Sequence, residues 1–243
     1  MATKQRILEQ PAYVLHTYPW RETSLIAEVF SRDHGRVALV AKGARRPHSA
    51  FRGVLMAFQP LLVDWSGGGE VKTLVRAEWQ GGQPLLTGRA LLCGYYLNEL
   101  LVRLTAREDA HAALFADYAQ ALRELAAGAP LTALLRRFEL ALLNELGYGA
   151  GLELEADSGA AVRPEHHYLY IIERGPVPLA GDMLPDDGTP VISGRSLLAM
   201  ARGDFSAAET LAQSKAVLRA VINHYLGGQP LQSRRVLKEL QEL

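Results

Sequence analysis

The stretch GRVALVAKGARRPHSAFRG, residues 35–53, predicts a strand followed by a strongly basic loop. Apolar residues at every second position indicate a half-buried strand over residues 36–42, and the pattern breaks at Gly43. The stretch carries its cations at Arg36 and Lys42 in the strand and at Arg45, Arg46 and Arg52 in the loop. The strand therefore places its own two cations on the outer face, beside the loop.

The positive charge is local. Residues 32–52 contain five arginines and one lysine against a single acid, Asp33, in a chain with 26 basic and 26 acidic residues. Residues 1–80 have a net charge of +4, and residues 81–243 have a net charge of −4. This concentration predicts a nucleic-acid contact surface in the first part of the chain, the alternative being a solvated basic loop without a ligand.

Composition narrows the class of protein. A chain of 243 residues with 49% hydrophobic content is large enough for one good core or two modest ones, and we expect two domains. The single cysteine, Cys93, excludes an internal disulfide framework and a multi-cysteine metal cage. The sequence contains no secretory segment and no membrane-spanning run of about 18 apolar residues, so we expect a cytoplasmic protein without a membrane partner.

The first 80 residues read as short strands separated by turns. Strands are predicted over residues 12–17, 23–31, 36–42, 59–65 and 71–79. Five short strands in about 70 residues indicate a small closed barrel, either the OB-fold known for oligonucleotide binding or an SH3-like barrel. Alternation in the last strand predicts an inward set of Val71, Thr73, Val75, Ala77 and Trp79. It predicts an outward set that includes Lys72 and Arg76 and extends the basic face.

The hydrophobic period changes to about 3.6 near residue 82, which predicts a domain of residues 1–81 and a helical domain of residues 82–243. Helices are predicted over residues 88–104, from Glu108 to about 127, over 131–148, over 194–201, over 207–226 and in the tail from 230. Ser206 and Glu209 predict a capping box at the start of the fifth of these. Residues 147–192 read as an irregular insertion with a brief strand at 165–172. The fold class is therefore α+β.

Enzymatic motifs are missing from the sequence. His166 and His167 are adjacent in a predicted strand and point to opposite faces, which disfavours a shared metal ion. Ser193 lacks the G-x-S-x-G context of a serine hydrolase, and neither phosphate-binding glycine motif is present. We therefore expect no catalytic residue, no metal and no cofactor. A hydrolase that uses one of the two histidines is the least favoured class.

Two further features point to binding. Most aromatic residues of the first domain, Tyr18 and Trp79 among them, are expected in the core, with Trp20 and Phe51 as candidates for exposed rings that stack on bases. Arg136 and Arg137 interrupt a nearly apolar helix. An arginine fork beside an apolar groove suits the carboxylate of a peptide tail, and the alternative is a structural salt bridge to Glu139 or to an acid on a neighbouring helix.

Five segments, read in order, resemble the bacterial recombination mediator family RecO. They are AYVLHTYPWRETSL at 12–25, GRVALVAKGARR at 35–46, QPLLVDWSGGGEVKTLVRAE at 59–78, YYLNELL at 95–101 and LRRFELALLNELGYG at 135–149. The resemblance implies an amino-terminal OB-fold barrel followed by a helical bundle. It also implies a non-enzymatic protein that binds single- and double-stranded DNA and anneals complementary strands.

The resemblance further implies partners. With RecR, such proteins promote RecA loading onto gapped DNA coated by single-stranded DNA-binding protein, in the cytoplasm at the nucleoid. They recognise the acidic tail of that coating protein on the helical domain. Carried onto this chain, the DNA-binding set is Arg36, Lys42, Arg45, Arg46, Arg52, Lys72, Arg76 and Trp20. The tail-binding set is Arg136 in the LRRFE motif, with Arg137 and Lys215.

One departure from the family concerns zinc. Many members carry a four-cysteine zinc site after the LGY motif, and this sequence has no cysteine there. The resemblance therefore implies that this segment is held by packing. An OB-fold RNA-binding or translation-type factor is the second interpretation of the same basic barrel.

Overall fold

The computed structural model describes residues 6–149, 151–179 and 188–241, with side chains up to residue 236. The chain forms two compact units. One contains Met1–Gly128 and Leu231–Leu243, and the other contains Ala129–Pro230. The first unit therefore extends past the change of period at residue 82 and includes three helices as well as the strands.

Five strands form a closed barrel in the first unit. They are β1 (Arg6–Trp20), β2 (Ser24–Ser31), β3 (Gly35–Ala41), β4 (Pro60–Ser66) and β5 (Val71–Trp79). The strand order is β1-β2-β3-β5-β4, with β3 and β5 parallel and every other neighbouring pair antiparallel. Small and branched apolar side chains fill the interior around the fully buried Trp65. The five-stranded barrel and the α+β class predicted from the sequence are confirmed.

The predicted alternation in β5 is wrong. Lys72 and Leu74 are buried, while Val75 and Trp79 are exposed. For Lys72, Leu74 and Val75 the cause is a register shift against β4, where Asp64 pairs with Arg76 but Trp65 pairs with Leu74. Trp79 lies beyond the shift, pairs with Leu61 and is exposed at the end of the strand. The extra residue at Val75 is a bulge, and a one-residue shift moves every preceding side chain to the other face of the strand.

Three helices complete the first unit: α1 (Gly88–Leu104), α2 (Ala112–Ala126) and, from the far end of the chain, α6 (Gln232–Gln241). The bounds of α1 match the prediction. The second helix begins at Ala112 instead of Glu108, because residues 105–109 run beside β3. The Glu108 amide donates to the Arg36 carbonyl at 2.9 Å. Gly35, at φ +61°, lies so close that a Cβ there would be 1.7 Å from the Asp109 carbonyl oxygen.

The described residues of the second unit form three helices and a small sheet. Its elements are α3 (Leu131–Glu145), β6 (His167–Ile171), β7 (Gly175–Pro178), β8 (Val191–Ser193), α4 (Gly194–Ala201) and α5 (Ala208–Tyr225), and the sheet order is β7-β6-β8. The predicted insertion thus contains a three-stranded sheet, and part of its turn-rich stretch lies outside the described residues. The predicted capping box is wrong. Ala207 is the N-cap of α5 without a side-chain cap, and Glu209 accepts from Gln213 instead.

Candidate nucleic-acid interface

The basic loop after β3 is folded by successive tight turns. Arg46 N donates to the Gly43 carbonyl at 3.0 Å, Ser49 N to Arg46 at 3.2 Å, and Arg52 N to Ser49 at 3.1 Å. The apolar residues Phe51, Val54 and Leu55 are partly buried and pack against the barrel core. This packing holds the loop while its cations point to solvent. Of the two predicted stacking rings, Phe51 is therefore partly buried, and Trp20 is exposed.

Hydrogen bonds join this loop to the turn between β1 and β2. The Arg45 amide donates to the Thr23 carbonyl at 2.9 Å, and its guanidinium donates to the Glu22 carbonyl at 3.4 Å. Trp20 ends β1 and Arg21 begins the turn, and the Arg21 guanidinium lies 6.0 Å from the centre of the Trp20 ring. Cations from two separate segments therefore meet at one end of the barrel.

Four predicted DNA-binding cations have no acidic partner. Lys42, Arg45, Arg46 and Arg52 are all exposed, and none of them pairs with a carboxylate in the part of the chain that the structure describes. Arg52 donates only to a backbone carbonyl, that of Pro47, at 3.3 Å. Neighbouring Arg32, in contrast, is paired with Asp33 at 2.8 Å, and this hydrogen bond lowers the pKa of Asp33. The four unpaired cations can each meet a phosphate without first giving up an ion pair.

Arg36 belongs to a partly buried ion cluster. Its guanidinium donates to Glu28 at 2.5 Å and to the Thr105 carbonyl at 2.9 Å. Arg107 donates twice to the same Glu28, at 3.0 and 2.9 Å. The pKa of Arg107 is raised, mainly by its hydrogen bond to Glu28 and to a smaller extent by the charge of Glu28 and by the nearby Tyr18 and Glu70. Arg36 thus faces outward from the barrel as predicted, but Glu28 and the Thr105 carbonyl occupy its two terminal nitrogens.

The predicted outward position of Lys72 is wrong, because the bulge at Val75 turns this side chain toward the barrel interior. Its ammonium donates to Glu108 at 2.5 Å and to the Gly69 carbonyl at 3.2 Å. Its stem lines a cavity of about 100 Å³ beside Trp65. Lys72 therefore fastens the segment before α2 to the barrel.

Arg76 is exposed but has acidic neighbours. Its guanidinium lies 2.5 Å from a Glu78 oxygen and 4.0 Å from an Asp64 oxygen. Its pKa is raised, first by the hydrogen bond to Glu78. A phosphate approaching Arg76 meets these carboxylates, so this arginine offers less net positive charge than the loop.

Two further rings lie exposed beside Trp20, those of His16 and Tyr18, and the predicted core position of Tyr18 is wrong. His16, Tyr18 and Trp20 occupy alternate positions near the end of β1, and all three side chains are exposed. The His16 and Tyr18 rings stack with centroids 5.9 Å apart and planes at 28°. The available signal was the spacing of two residues, which places all three rings on one face of a strand.

The candidate tail-binding residues lie on α3 and α5, which pack against each other. Arg136 is buried, and its guanidinium donates to the fully buried Glu139 at 2.5 Å. The salt bridge weighed as the alternative role of Arg136 is therefore present. Arg137 and Lys215 are exposed.

Backbone hydrogen bonds hold the segment where many family members carry zinc-binding cysteines. In the hairpin of residues 153–162, Glu155 N donates to Ala160 and Val162 N donates to Glu153, both at 2.8 Å. Cysteine thiolates are missing from this segment, and Tyr168 OH donates to Glu155 at 3.3 Å instead. Among the described residues, no group of three or more His, Cys, Asp or Glu side chains could hold a metal ion. His166 and His167 are both exposed.

No helix in the described ranges has the length and apolarity needed to cross a membrane.

Comparison with known proteins gives one consistent family. Residues 5–82 match the family model "Recombination protein O N terminal", and residues 85–235 match "Recombination protein O C terminal". The chain is 76% identical to the DNA repair protein RecO of Aromatoleum aromaticum and 73% identical to that of Azoarcus sp. (strain BH72). It is 54% identical to the one from Dechloromonas aromatica. Each of the three alignments covers 100% of both chains.

Proposed function

We propose that this chain, which belongs to the RecO family of DNA repair proteins, binds single- and double-stranded DNA on its barrel and anneals complementary strands. Family membership supports a role in DNA repair and recombination. The observation that carries the proposal is the group of four exposed, unpaired cations on the loop after β3, defined here as the basic loop: Lys42, Arg45, Arg46 and Arg52.

Annealing requires no catalytic residue. Two complementary strands repel each other through their phosphates, and a basic surface lowers that repulsion when both strands lie on it. Each phosphate contact releases condensed counterions, so affinity falls with salt in proportion to the number of contacts. Trp20 lies beside the loop and supplies a ring for base contact. Arg36 and Lys72 contribute by holding residues 105–109 against the barrel, and Arg76 contributes at its edge.

The test removes two loop charges and measures the salt dependence of binding. The double variant Arg45→Ala, Arg46→Ala should bind every duplex sequence more weakly to a similar degree, and its salt slope should fall by about 1.8 for two lost contacts. The matched control Arg195→Ala, Arg202→Ala removes the same charge from exposed positions of the other unit. The control should keep the wild-type affinity and slope.

Unchanged duplex affinity in the Arg45, Arg46 variant would remove these residues from the site. Failure of the wild type to bind DNA at low salt, or to speed strand annealing, would refute the proposal as a whole. Tighter binding to structured RNA than to single-stranded DNA of equal length would favour the RNA-binding factor instead.

We extend the proposal to partners. Acting in the cytoplasm at the nucleoid, the chain would work with RecR to promote RecA loading onto gaps coated by single-stranded DNA-binding protein. The acidic tail of the coating protein would dock on α3 and α5. Exposed Arg137 and Lys215 would meet its carboxylates, and buried Arg136 would hold the helix through Glu139.

A fluorescent acidic peptide tests the tail site. The variants Arg137→Ala and Lys215→Ala should each weaken peptide binding and leave binding to naked DNA unchanged. Arg219→Ala is the control, because Arg219 is an exposed cation one turn along α5 from Lys215. Equal effects of Lys215→Ala and Arg219→Ala would mean that general charge, and no defined site, attracts the peptide.

A further inference from the structure

Part of the outer surface of the barrel carries exposed aromatic rings at the end of β1. Strand pairing aligns Tyr18 with Ile26, Ile26 with Val40, and Val40 with Thr73, so these four residues form one row across β1, β2, β3 and β5. Trp20 pairs with Ser24 in the neighbouring row. We call Tyr18 and Trp20, with the partly exposed Val40 and Thr73 of this row, the aromatic face; Ile26 lies buried between them.

Helices cover the same side of the sheet at its other end. There, Tyr13 and Phe30 pair across β1 and β2, and both rings contact Phe115 and Tyr118 of α2 with centroids 5.2 to 6.1 Å apart. The ion cluster of Glu28 lies between the two ends. The helix cover thus stops before Tyr18 and Trp20, which are 36% and 44% exposed. Burial in this unit therefore does not account for these two rings.

Cations border the aromatic face on two sides. Arg21 lies over the Trp20 ring, and Lys42 follows β3 at the same end as Ser24. Arg107 lies near Tyr18 on the opposite side with its side chain 40% exposed, but its guanidinium is paired with Glu28, so it offers less to a phosphate than the loop cations do. Rings flanked by positive charge match a polymer that alternates flat bases with phosphates, since bases stack on the rings while phosphates meet the cations.

We infer that the aromatic face is a stacking platform for the unpaired bases of single-stranded DNA, with Tyr18 and Trp20 as the stacking rings. This inference rests on the proposed DNA-binding function and assigns it a preference. Bases in a duplex are stacked on each other and cannot offer their faces, whereas a single strand can. The platform therefore adds affinity for single strands only, and it does so without reading sequence, because every base has a π-face.

The experiment separates bases from backbone. Fluorescence anisotropy would compare a 15-nucleotide thymidine oligomer with an abasic oligomer of the same length and charge. Loss of one stacked base lowers affinity by about 5- to 150-fold, so the wild type should prefer the thymidine oligomer by at least that lower factor. Tyr18→Ala and Trp20→Ala should each reduce the preference and leave abasic binding unchanged.

Two further variants complete the design. Tyr18→Phe keeps the ring and should keep the preference. Trp79→Ala removes a tryptophan that is 58% exposed at another place on the barrel, and it should change neither affinity. The inference would be overturned if the wild type bound both oligomers equally, or if Tyr18→Ala and Trp20→Ala kept the full preference for the thymidine oligomer. Either result would leave the proposed function standing. Absence of binding to either oligomer would instead refute the proposed function.

Discussion

The Glu28 cluster gives a prediction whose magnitude follows from burial. Glu28 is 4% exposed and accepts hydrogen bonds from Arg36 and from Arg107. Replacing it with glutamine keeps the shape of the side chain and removes the charge. Arg36, whose side chain is 13% exposed, is then left without its carboxylate.

The expected cost is large relative to the stability of a domain. Removing one partner of a buried ion pair costs about 3–5 kcal/mol, against a typical total of about 5–15 kcal/mol. The Arg107 side chain is 40% exposed, so solvent screens its share, and Arg107→Ala should cost about 1 kcal/mol or less. Arg36→Ala should fall between the two, because it also removes the bond to the Thr105 carbonyl.

Urea unfolding followed by tryptophan fluorescence measures this cost selectively. All three tryptophans lie in the barrel unit, and Trp65 is 1% exposed, so its emission shift reports the opening of the barrel. With a slope of about 2 kcal/mol/M, Glu28→Gln should lower the midpoint by about 1.5 to 2.5 M. The control Glu22→Gln, at an exposed position, should stay within about 0.5 kcal/mol of wild type. A midpoint shift below about 0.5 M for Glu28→Gln, or a larger effect of Arg107→Ala, would refute the reasoning.

Two other predictions concern the helices. The Glu99 carboxylate accepts hydrogen bonds from the Gln232 and Ser233 amides at the start of α6 and from the Ser233 hydroxyl. Burial raises the pKa of Glu99, but these hydrogen bonds and the charge of Arg103 outweigh burial, so the pKa lies below the ordinary value of 4.5. The stability that this carboxylate gives α6 is therefore present above pH 4.5 and is lost as the pH falls through the lowered pKa. Hydrogen exchange of α6 in the wild type should accelerate over that pH range, and Glu99→Gln should abolish this acceleration. Arg136→Ala removes the 2.5 Å hydrogen bond to buried Glu139, so exchange across α3 should increase by up to about 150-fold, and by more than in Arg137→Ala, whose side chain is exposed. The first prediction would be contradicted if α6 exchange had the same pH dependence in Glu99→Gln as in the wild type. The second would be contradicted if α3 exchanged at the same rate in Arg136→Ala as in the wild type.

Local patterns were sufficient for the elements that depend on local sequence. The bounds of α1 follow from its broad apolar stripe, and the structure has the same bounds. The five strands follow from alternation and from glycine-rich turns. The alternation of β5 failed at Val75, because a bulge depends on how β4 pairs with it, and the sequence of β5 carries no mark of the extra residue.

The candidate site divides in the same way. Charge density identified the basic loop, whose turns form between neighbouring residues. The sequence could not show which cations are paired, because Glu28 and Arg107 are separated by 79 positions and Lys72 and Glu108 by 36. The DNA-binding set predicted from the number of cations therefore contains two kinds of residue. Some are free to meet phosphate, and others fasten the barrel to the segment before α2.

On the proposed function, loop cations and platform rings would give the barrel two kinds of affinity for DNA with different salt dependence. Four phosphate contacts would give salt slopes of about −3.6 on duplex and −2.8 on single strands, which correspond to about 150-fold and 50-fold losses between 50 and 200 mM salt. Stacking releases few counterions and persists as salt rises. The affinity of the loop for duplex falls faster with salt than its affinity for single strands, and the platform adds affinity only for single strands. The surface should therefore hold unpaired strands and release the duplex that annealing produces. A surface of cations alone would bind its product through the same contacts as its substrates and would have no base-dependent reason to exchange one for the other.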